Sequence, residues 1–360
     1  MVRGDTAALV GRKKKAGNPG MLRPAVVDAA VRDDGVAIAL RRLRVAGVLY
    51  TYRCSATCRH CGFSCSPERP ADHVSIMRLP TLLGDLKFLG RIVYVTGGEC
   101  MLFWDELRAG LELAAKEGAP PHFVETNASF AATDLLVETR FRVLRDLGVR
   151  GVRISADPWH QEFVDPEQVI RARRVATAIF GPANVVAPGG TDEALRRLAR
   201  VAGHPEALKE HLAHFPPRLS GRACAALADH FHTYPLARLP PDAGWGRTFR
   251  RRDCEPEFDR VTMGEIHVDP ADRIVSNCGL VLGSAVDGGL RKLWRGDPTG
   301  GNFLARILLR EGPVGLMNYA VRECSMDPIT EARSKCDLCY RVRVALRLKH
   351  PDLVGPPEIY

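Results

Sequence analysis

From about Leu40 onward, short apolar or β-branched runs alternate with longer stretches in which apolar residues recur every three or four positions. The short runs are VAGVLYTY (45–52), RIVYVT (91–96), HFVETN (122–127), VRISAD (152–157) and NVVAP (184–188). The longer stretches lie around 104–117, 134–147, 165–180 and 192–214. The first kind reads as strands and the second as helices. Strands separated by whole helices pair in parallel, because a parallel pair needs a crossover connection that a tight turn cannot provide. The expected fold class is therefore α/β, with βαβ units and a parallel sheet that is open or closed into a full or partial barrel. In such sheets chemistry sits at the carboxyl ends of the strands, so a functional motif should fall just after a strand.

The densest candidate does. Four of the chain's eleven cysteines lie in RCSATCRHCGFSC (53–65), directly after the first strand. A disulfide framework suits short secreted chains. This chain has 360 residues, and Lys13, Lys14 and Lys15 stand where a signal peptide would need an apolar core. No apolar run approaches the roughly 18 residues of a membrane span. The expectation is a cytoplasmic, non-membrane protein with reduced thiols used for metal or redox chemistry. The net charge of +9 is compatible with a nucleic-acid or other acidic partner but carries little weight. Outside the Lys13–Lys15 run and Arg250–Arg252, basic residues alternate with acidic ones along helical stretches, as on a solvated face.

Cys54, Cys58 and Cys61 have the spacing C-x3-C-x2-C. Structural zinc more often uses paired C-x2-C knuckles and four protein ligands. Three thiolates on one loop leave a metal position open, and an iron of a cubane cluster without a protein ligand can bind a small molecule. A zinc loop stays open as the alternative.

This loop resembles the signature of the radical S-adenosylmethionine (radical SAM) superfamily, and the resemblance covers roughly residues 45–190. It implies a partial (β/α)6 barrel of the TIM type. It also implies that Cys54, Cys58 and Cys61 hold a 4Fe-4S cluster whose open iron chelates SAM, with His60 near the adenine. After the second strand, Gly97-Gly98-Glu99 matches the superfamily's GGE motif, which holds the SAM amino group. Cys100 follows where the family commonly has proline, and the resemblance leaves it open as a thiol near the substrate that donates a hydrogen atom. Thr126 and Asn127 end the third strand, and Ser155 and Asp157 end the fourth in an S-x-D pattern. All four resemble the family's polar contacts to SAM.

Past residue 215 the alternation fades. Gly221-Arg222-Ala223 resembles a segment found where such barrels pass into a C-terminal extension. GEIHVDPADRIVSNCG reads as a hairpin turning at 269–272, and KCDLCYRVRVAL is a C-x2-C pair leading into a basic helix. The layout resembles a reduced SPASM or twitch domain, which implies an auxiliary 4Fe-4S cluster on Cys254, Cys278, Cys336 and Cys339, with Cys324 spare. Zinc at the same ligands stays open. Cys65 and Cys224 read as packing. The expected division is an N-terminal arm and lead-in (1–38), a radical SAM partial barrel (39–215) and a smaller α+β cysteine-rich extension (216–360).

The resemblance implies reductive cleavage of SAM and abstraction of hydrogen from a substrate, with an external electron donor such as flavodoxin or ferredoxin. The expected substrate is a peptide or protein side chain, and a sugar, nucleoside or aminoglycoside is the alternative. A non-catalytic redox or partner-binding protein is the reading from another class, against which the SAM-pocket motifs argue.

Overall fold

A computed structural model describes residues 23–188, 190–239, 254 and 265–360. Lys13–Lys15 and Arg250–Arg252 lie outside the described residues. Two helices come first, α1 (Pro24–Asp34) and α2 (Val36–Arg42). The alternation then runs β1 (Val45–Leu49), α3 (Arg78–Phe88), β2 (Ile92–Thr96), α4 (Trp104–Lys116), β3 (Phe123–Thr126), α5 (Asp134–Asp146), β4 (Gly151–Ile154), α6 (Pro166–Phe180) and β5 (Val185–Val186).

These elements form for local reasons. Thr133 caps α5 by accepting from Leu136 N–H, and Val137, Phe141 and Leu144 line its buried side. Asp165 caps α6, with Pro166 at its first position. The stretch 192–214 is not one helix, as its periodicity predicts. It is α7 (Asp192–Val201) and α8 (Pro205–His214). Pro205 has no N–H to continue the first helix and starts the second instead.

The remaining elements are α9 (Arg222–Ala226), β6 (Tyr234–Pro235), β7 (Ile266–Val268), β8 (Arg273–Ser276), β9 (Val281–Ser284), α10 (Gly289–Arg295), α11 (Phe303–Cys324), β10 (Glu331–Ala332) and α12 (Lys335–Lys349). One eight-stranded sheet has the order β5-β4-β3-β2-β1-β7-β8-β9. Its first six strands are all parallel. The expected hairpin is present as antiparallel β7 and β8, and β9 extends it. The sheet is an open, partial barrel. Its sixth parallel strand, β7, joins beside β1 and not beyond β5, and so carries the sheet across residue 215 into the C-terminal region.

Side chains alternate along each strand. Val93, Val95, Val124, Val152 and Ile154 point outward into the large core beneath α3–α6. The intervening positions face the lumen. At its amino end, Ile92, Tyr94 and Phe123 pack against Val27, Val31, Val36 and Ala39, so α1 and α2 plug that end. The cavity of the lumen reaches the carboxyl ends of the strands, where the cysteine loop lies.

Candidate active site

The cysteine loop is held by backbone on three sides. Its own turns donate from Cys61 N–H to Cys58 O (3.2 Å) and from Cys54 N–H to Ser66 O (3.0 Å). The end of β2 lies against it through Gly98 N–H to Thr51 O (2.7 Å) and Glu99 N–H to Arg53 O (2.9 Å). A Cβ on Gly98 would stand 2.1 Å from Arg53 O, so the second glycine of the pair is required for close approach to the loop. On the third side Gly221 has φ +56°, and a Cβ there would meet Cys61 O at 2.6 Å. Arg222 donates its N–H to Cys61 O (3.1 Å) and its fork to Cys58 O and Cys65 O, both at 2.8 Å. Arg222 thus clamps the loop. Sequence reading noted its segment without this role.

Under the loop lies a cavity of about 350 Å³. Cys54, Cys58, His60 and Cys61 line it from the loop, Gly97 and Gly98 from the end of β2, Thr126 and Asn127 from β3, and Ser155 from β4. Asn127 ties two of these elements together by donating to Ser55 Oγ (3.0 Å) and Cys54 Sγ (3.6 Å). Cys65, read as packing, also lies on this wall, with its N–H 3.4 Å from Cys61 Sγ.

Glu99, Cys100 and Asp157 lie behind the wall. Glu99 is 1% exposed and accepts from Met101 N–H (3.0 Å), Asn127 N–H (2.7 Å) and the Thr126 hydroxyl (2.9 Å). Burial pushes its carboxyl pKa up, although those donors oppose the shift. In this structure the expected ammonium acceptor is a brace between β2 and β3. Cys100 is fully buried, and its thiol donates to Glu125 O at 3.4 Å. Burial pushes that thiol well above its ordinary pKa. Its place outside the cavity removes it as a thiol facing the substrate. Asp157 accepts from Trp159 N–H and His160 N–H, both at 3.0 Å, and contacts His160 Nδ1 (2.8 Å) and His60 Nε2 (3.3 Å). Burial opposes its ionisation, but the two histidines hold it well below the usual carboxylate range. Glu162 pairs with Arg59, which covers Trp159, and of that loop only His160 reaches the cavity.

Among the described residues, His60, Asp157 and His160 are the one group of His, Cys, Asp and Glu ligand atoms within 4.8 Å of one another. His60 Nδ1, buried and without a partner among the described residues, offers a polar contact beside the loop thiols.

Deeper in the lumen lie residues that the motifs did not indicate: Tyr94, Thr96, Glu125, Arg153, Glu265 and His267. Glu125 accepts from Thr96 (3.0 Å) and Ser155 (3.4 Å) and pairs with Arg153 Nε (3.3 Å). A signal was present, since Tyr94, Thr96, Glu125 and Arg153 are polar groups at alternate positions of otherwise apolar strands.

Of the C-terminal cysteines, Cys278 follows β8 and contacts Ser276 Oγ (3.1 Å), and Cys336 and Cys339 occupy the start of α12. Arg218 Nε donates to Cys336 Sγ (3.3 Å), Cys254 is half-buried, and Cys324 ends α11. Arg343 is 1% exposed and donates to Gly279 O (3.0 Å) and Tyr360 Oη, and among the described residues its Nε is unpaired. Among the described residues no carboxylate pairs with it. Burial would lower its pKa, yet Tyr360, Cys339 and Cys278 raise it above the usual arginine value. A buried guanidinium calls for an anion, and thiolates bound to metal at Cys278 and Cys339 would be one.

An open parallel barrel with a three-cysteine loop at its carboxyl end, above a polar lumen, has room for a small molecule beside three thiols. Residues 48–202 match the family model of the radical SAM superfamily. Residues 48–202 thus carry a radical SAM domain, which supports an enzyme of the radical SAM type and implies a 4Fe-4S cluster and SAM. A crystal structure of BtrN in complex with AdoMet and 2-DOIA aligns with 13% identity and a TM-score of 0.42, over 75% of this chain and 88% of that one. No curated protein matches the chain. Among the described residues, no helix is long and apolar enough to cross a membrane.

Proposed function

We propose that the enzyme binds SAM beneath the 53–65 loop and directs its reductive cleavage at a small polar substrate held deeper in the lumen. The observation that carries this reading is the shared cavity, which joins Cys54, Cys58 and Cys61 to Gly97, Gly98, Thr126, Asn127 and Ser155 at the carboxyl ends of four strands. When bound, the cluster and SAM supply a 5′-deoxyadenosyl radical that takes a hydrogen atom from carbon. The chain's own residues bind and orient. Arg222 and Gly98 hold the loop, and Asn127 and Ser155 offer hydrogen bonds to SAM. The plug of α1 and α2 keeps water from the lumen's far end.

The inner wall carries Glu125, Arg153 and Glu265, which favours a small polar molecule over the peptide expected from sequence. Arg343 beside Cys278 and Cys339 supports a second, anionic metal site that also draws on Cys254 and Cys336. An external one-electron donor such as flavodoxin or ferredoxin would feed the first cluster.

The test is SAM cleavage by anaerobically reconstituted protein under a strong reductant, for wild type and a Cys54/Cys58/Cys61→Ala variant, with metal counted in both. Wild type is expected to release 5′-deoxyadenosine, and the variant to lose that activity and about four irons. Iron left on the variant would mark the second site. Zinc in its place, or no deoxyadenosine from wild type, would refute the corresponding half of the proposal.

A further inference from the structure

We infer that the deep end of the lumen recognises a hydrogen-bond donor, a hydroxyl or ammonium group of a small substrate, with Nδ1 of His267 as the acceptor. The inference rests on the reading of this cavity given above and names the kind of substrate it takes.

The geometry begins with a glycine. In register, Gly47 of β1 lies between Tyr94 of β2 and His267 of β7. A Cβ on residue 47 would stand 2.8 Å from the Tyr94 ring and 3.0 Å from His267 Cδ2. Without one, the two side chains meet across the strand, Tyr94 Oη to His267 Nε2 at 2.8 Å. The Tyr94 ring is stacked on Phe123 with centroids 4.7 Å apart and planes 7° apart, which fixes the hydroxyl. That hydroxyl also bonds to Glu265.

The direction of this chain follows from counting protons. A carboxylate only accepts, and a phenol has one proton to give. Tyr94 therefore donates to Glu265, and its oxygen accepts from His267 Nε2–H. A neutral imidazole has one N–H, so Nδ1 is left as a bare acceptor. Burial raises the Glu265 carboxyl, against the Tyr94 hydrogen bond and the charges of Arg153 and Arg218, which favour the carboxylate this assignment needs; two other shifts agree with it. Burial depresses His267 to about 4, which keeps the ring neutral near pH 7, and burial raises Tyr94 well above its ordinary value, which keeps its proton in place.

His267 is 2% exposed and lines the cavity, and among the described residues Nδ1 has no partner. Phe63 meets the ring edge-on at 5.0 Å and offers no donor. Two guanidinium cations line the lumen: Arg153, which is paired with Glu125, and Arg218, which donates to Cys336 Sγ and acts on Glu265. A buried acceptor without a donor is costly to keep. A substrate hydroxyl or ammonium entering from the carboxyl end would satisfy it, and Glu265 beside it suits the same kind of group. A substrate presenting only acceptors would find none of these contacts.

The test uses 2-aminoethanol as probe and acetate as control on reconstituted, SAM-saturated holoenzyme, with affinities read from the rise of Tm along each titration. Wild type is compared with His267→Asn, which keeps an acceptor near the Nδ1 position, and His267→Gln, which keeps a polar group near Nε2 for Tyr94. Tm without probe shows that each variant folds. The probe is expected to stabilise wild type and H267N more than acetate does, and to bind H267Q about five- to tenfold more weakly, the value of one neutral hydrogen bond. Binding of acetate as tight as the probe, no binding of the probe to wild type, or equal binding to wild type and H267Q would each overturn the inference. Deoxyadenosine release by wild type is scored separately, so failure of the SAM reading shows as loss of that signal and not as a change in probe binding.

Discussion

Gly98→Ala tests whether the glycine pair serves the cysteine loop. The added Cβ would lie 2.1 Å from Arg53 O and 2.6 Å from Arg53 C. Carbon–oxygen contacts normally stay near 3.3 Å or more, so the two backbones must part by roughly 1 Å. They cannot do so and keep both Gly98 N–H to Thr51 O (2.7 Å) and Glu99 N–H to Arg53 O (2.9 Å). Loss of the two bonds costs about 1–3 kcal/mol at the usual net value of each. Overpacking adds about 1–3 kcal/mol, for an expected total of about 2–6 kcal/mol. Gly84→Ala on α3 is the opposite control. Its Cβ would meet only Ala119 Cβ at 3.9 Å, and alanine in a helix interior gains about 0.5–1 kcal/mol over glycine. Thermal unfolding and iron content after anaerobic reconstitution are measured for both. G98A is expected to unfold at lower temperature and to retain less iron, and G84A to unfold slightly higher with iron unchanged. If G98A matched wild type in both, the close approach would be unnecessary and the argument would fail.

Arg222→Met removes two charge-assisted bonds to the loop carbonyls; in a half-buried setting this should cost about 1–3 kcal/mol and shorten the life of the reconstituted cluster in air, with Arg222→Lys intermediate. Unchanged cluster lifetime in R222M would show that the loop orders itself. Cys100→Ala should cost about 1 kcal/mol of stability and leave substrate turnover intact, because the thiol is outside the cavity. Loss of product with SAM cleavage preserved would restore it as a hydrogen donor. His267 is depressed from 6.5 to about 4 by burial, so below 6.5 the unfolded chain binds the extra proton first. Native stability should therefore fall between pH 6.5 and 4 by up to about 3 kcal/mol from this group, and the H267Q profile should be flatter across that window. Parallel profiles would place the ring in a more solvated state.

Much of this protein follows from periodicity. Strands over 45–49, 92–96, 123–126, 151–154 and 185–186 lie within the apolar runs or one residue from them, because alternation and helical spacing record which face of each element is buried. The one long helix drawn through 192–214 erred where apolar spacing continued across Pro205 and backbone chemistry did not. The cysteine loop was also legible, since its ligand types and spacing are local.

What sequence order could not decide was which polar side chain meets the cavity. Glu99, Asp157 and Cys100 stand beside motif residues in the chain, yet they lie outside the cavity lining, because past the strand ends the turns and their hydrogen bonds set side-chain direction, not strand alternation. Nor does the chain's order reveal that β7, over two hundred residues after β1, becomes its parallel neighbour. That pairing sets His267 across Gly47 from Tyr94. The sequence by itself determined the α/β class and the position of the cysteine loop, both encoded in short-range spacing. The lumen, its hydrogen-bond direction and the clamp of Arg222 were decided by tertiary structure, because each depends on groups that only the folded sheet brings within hydrogen-bond reach.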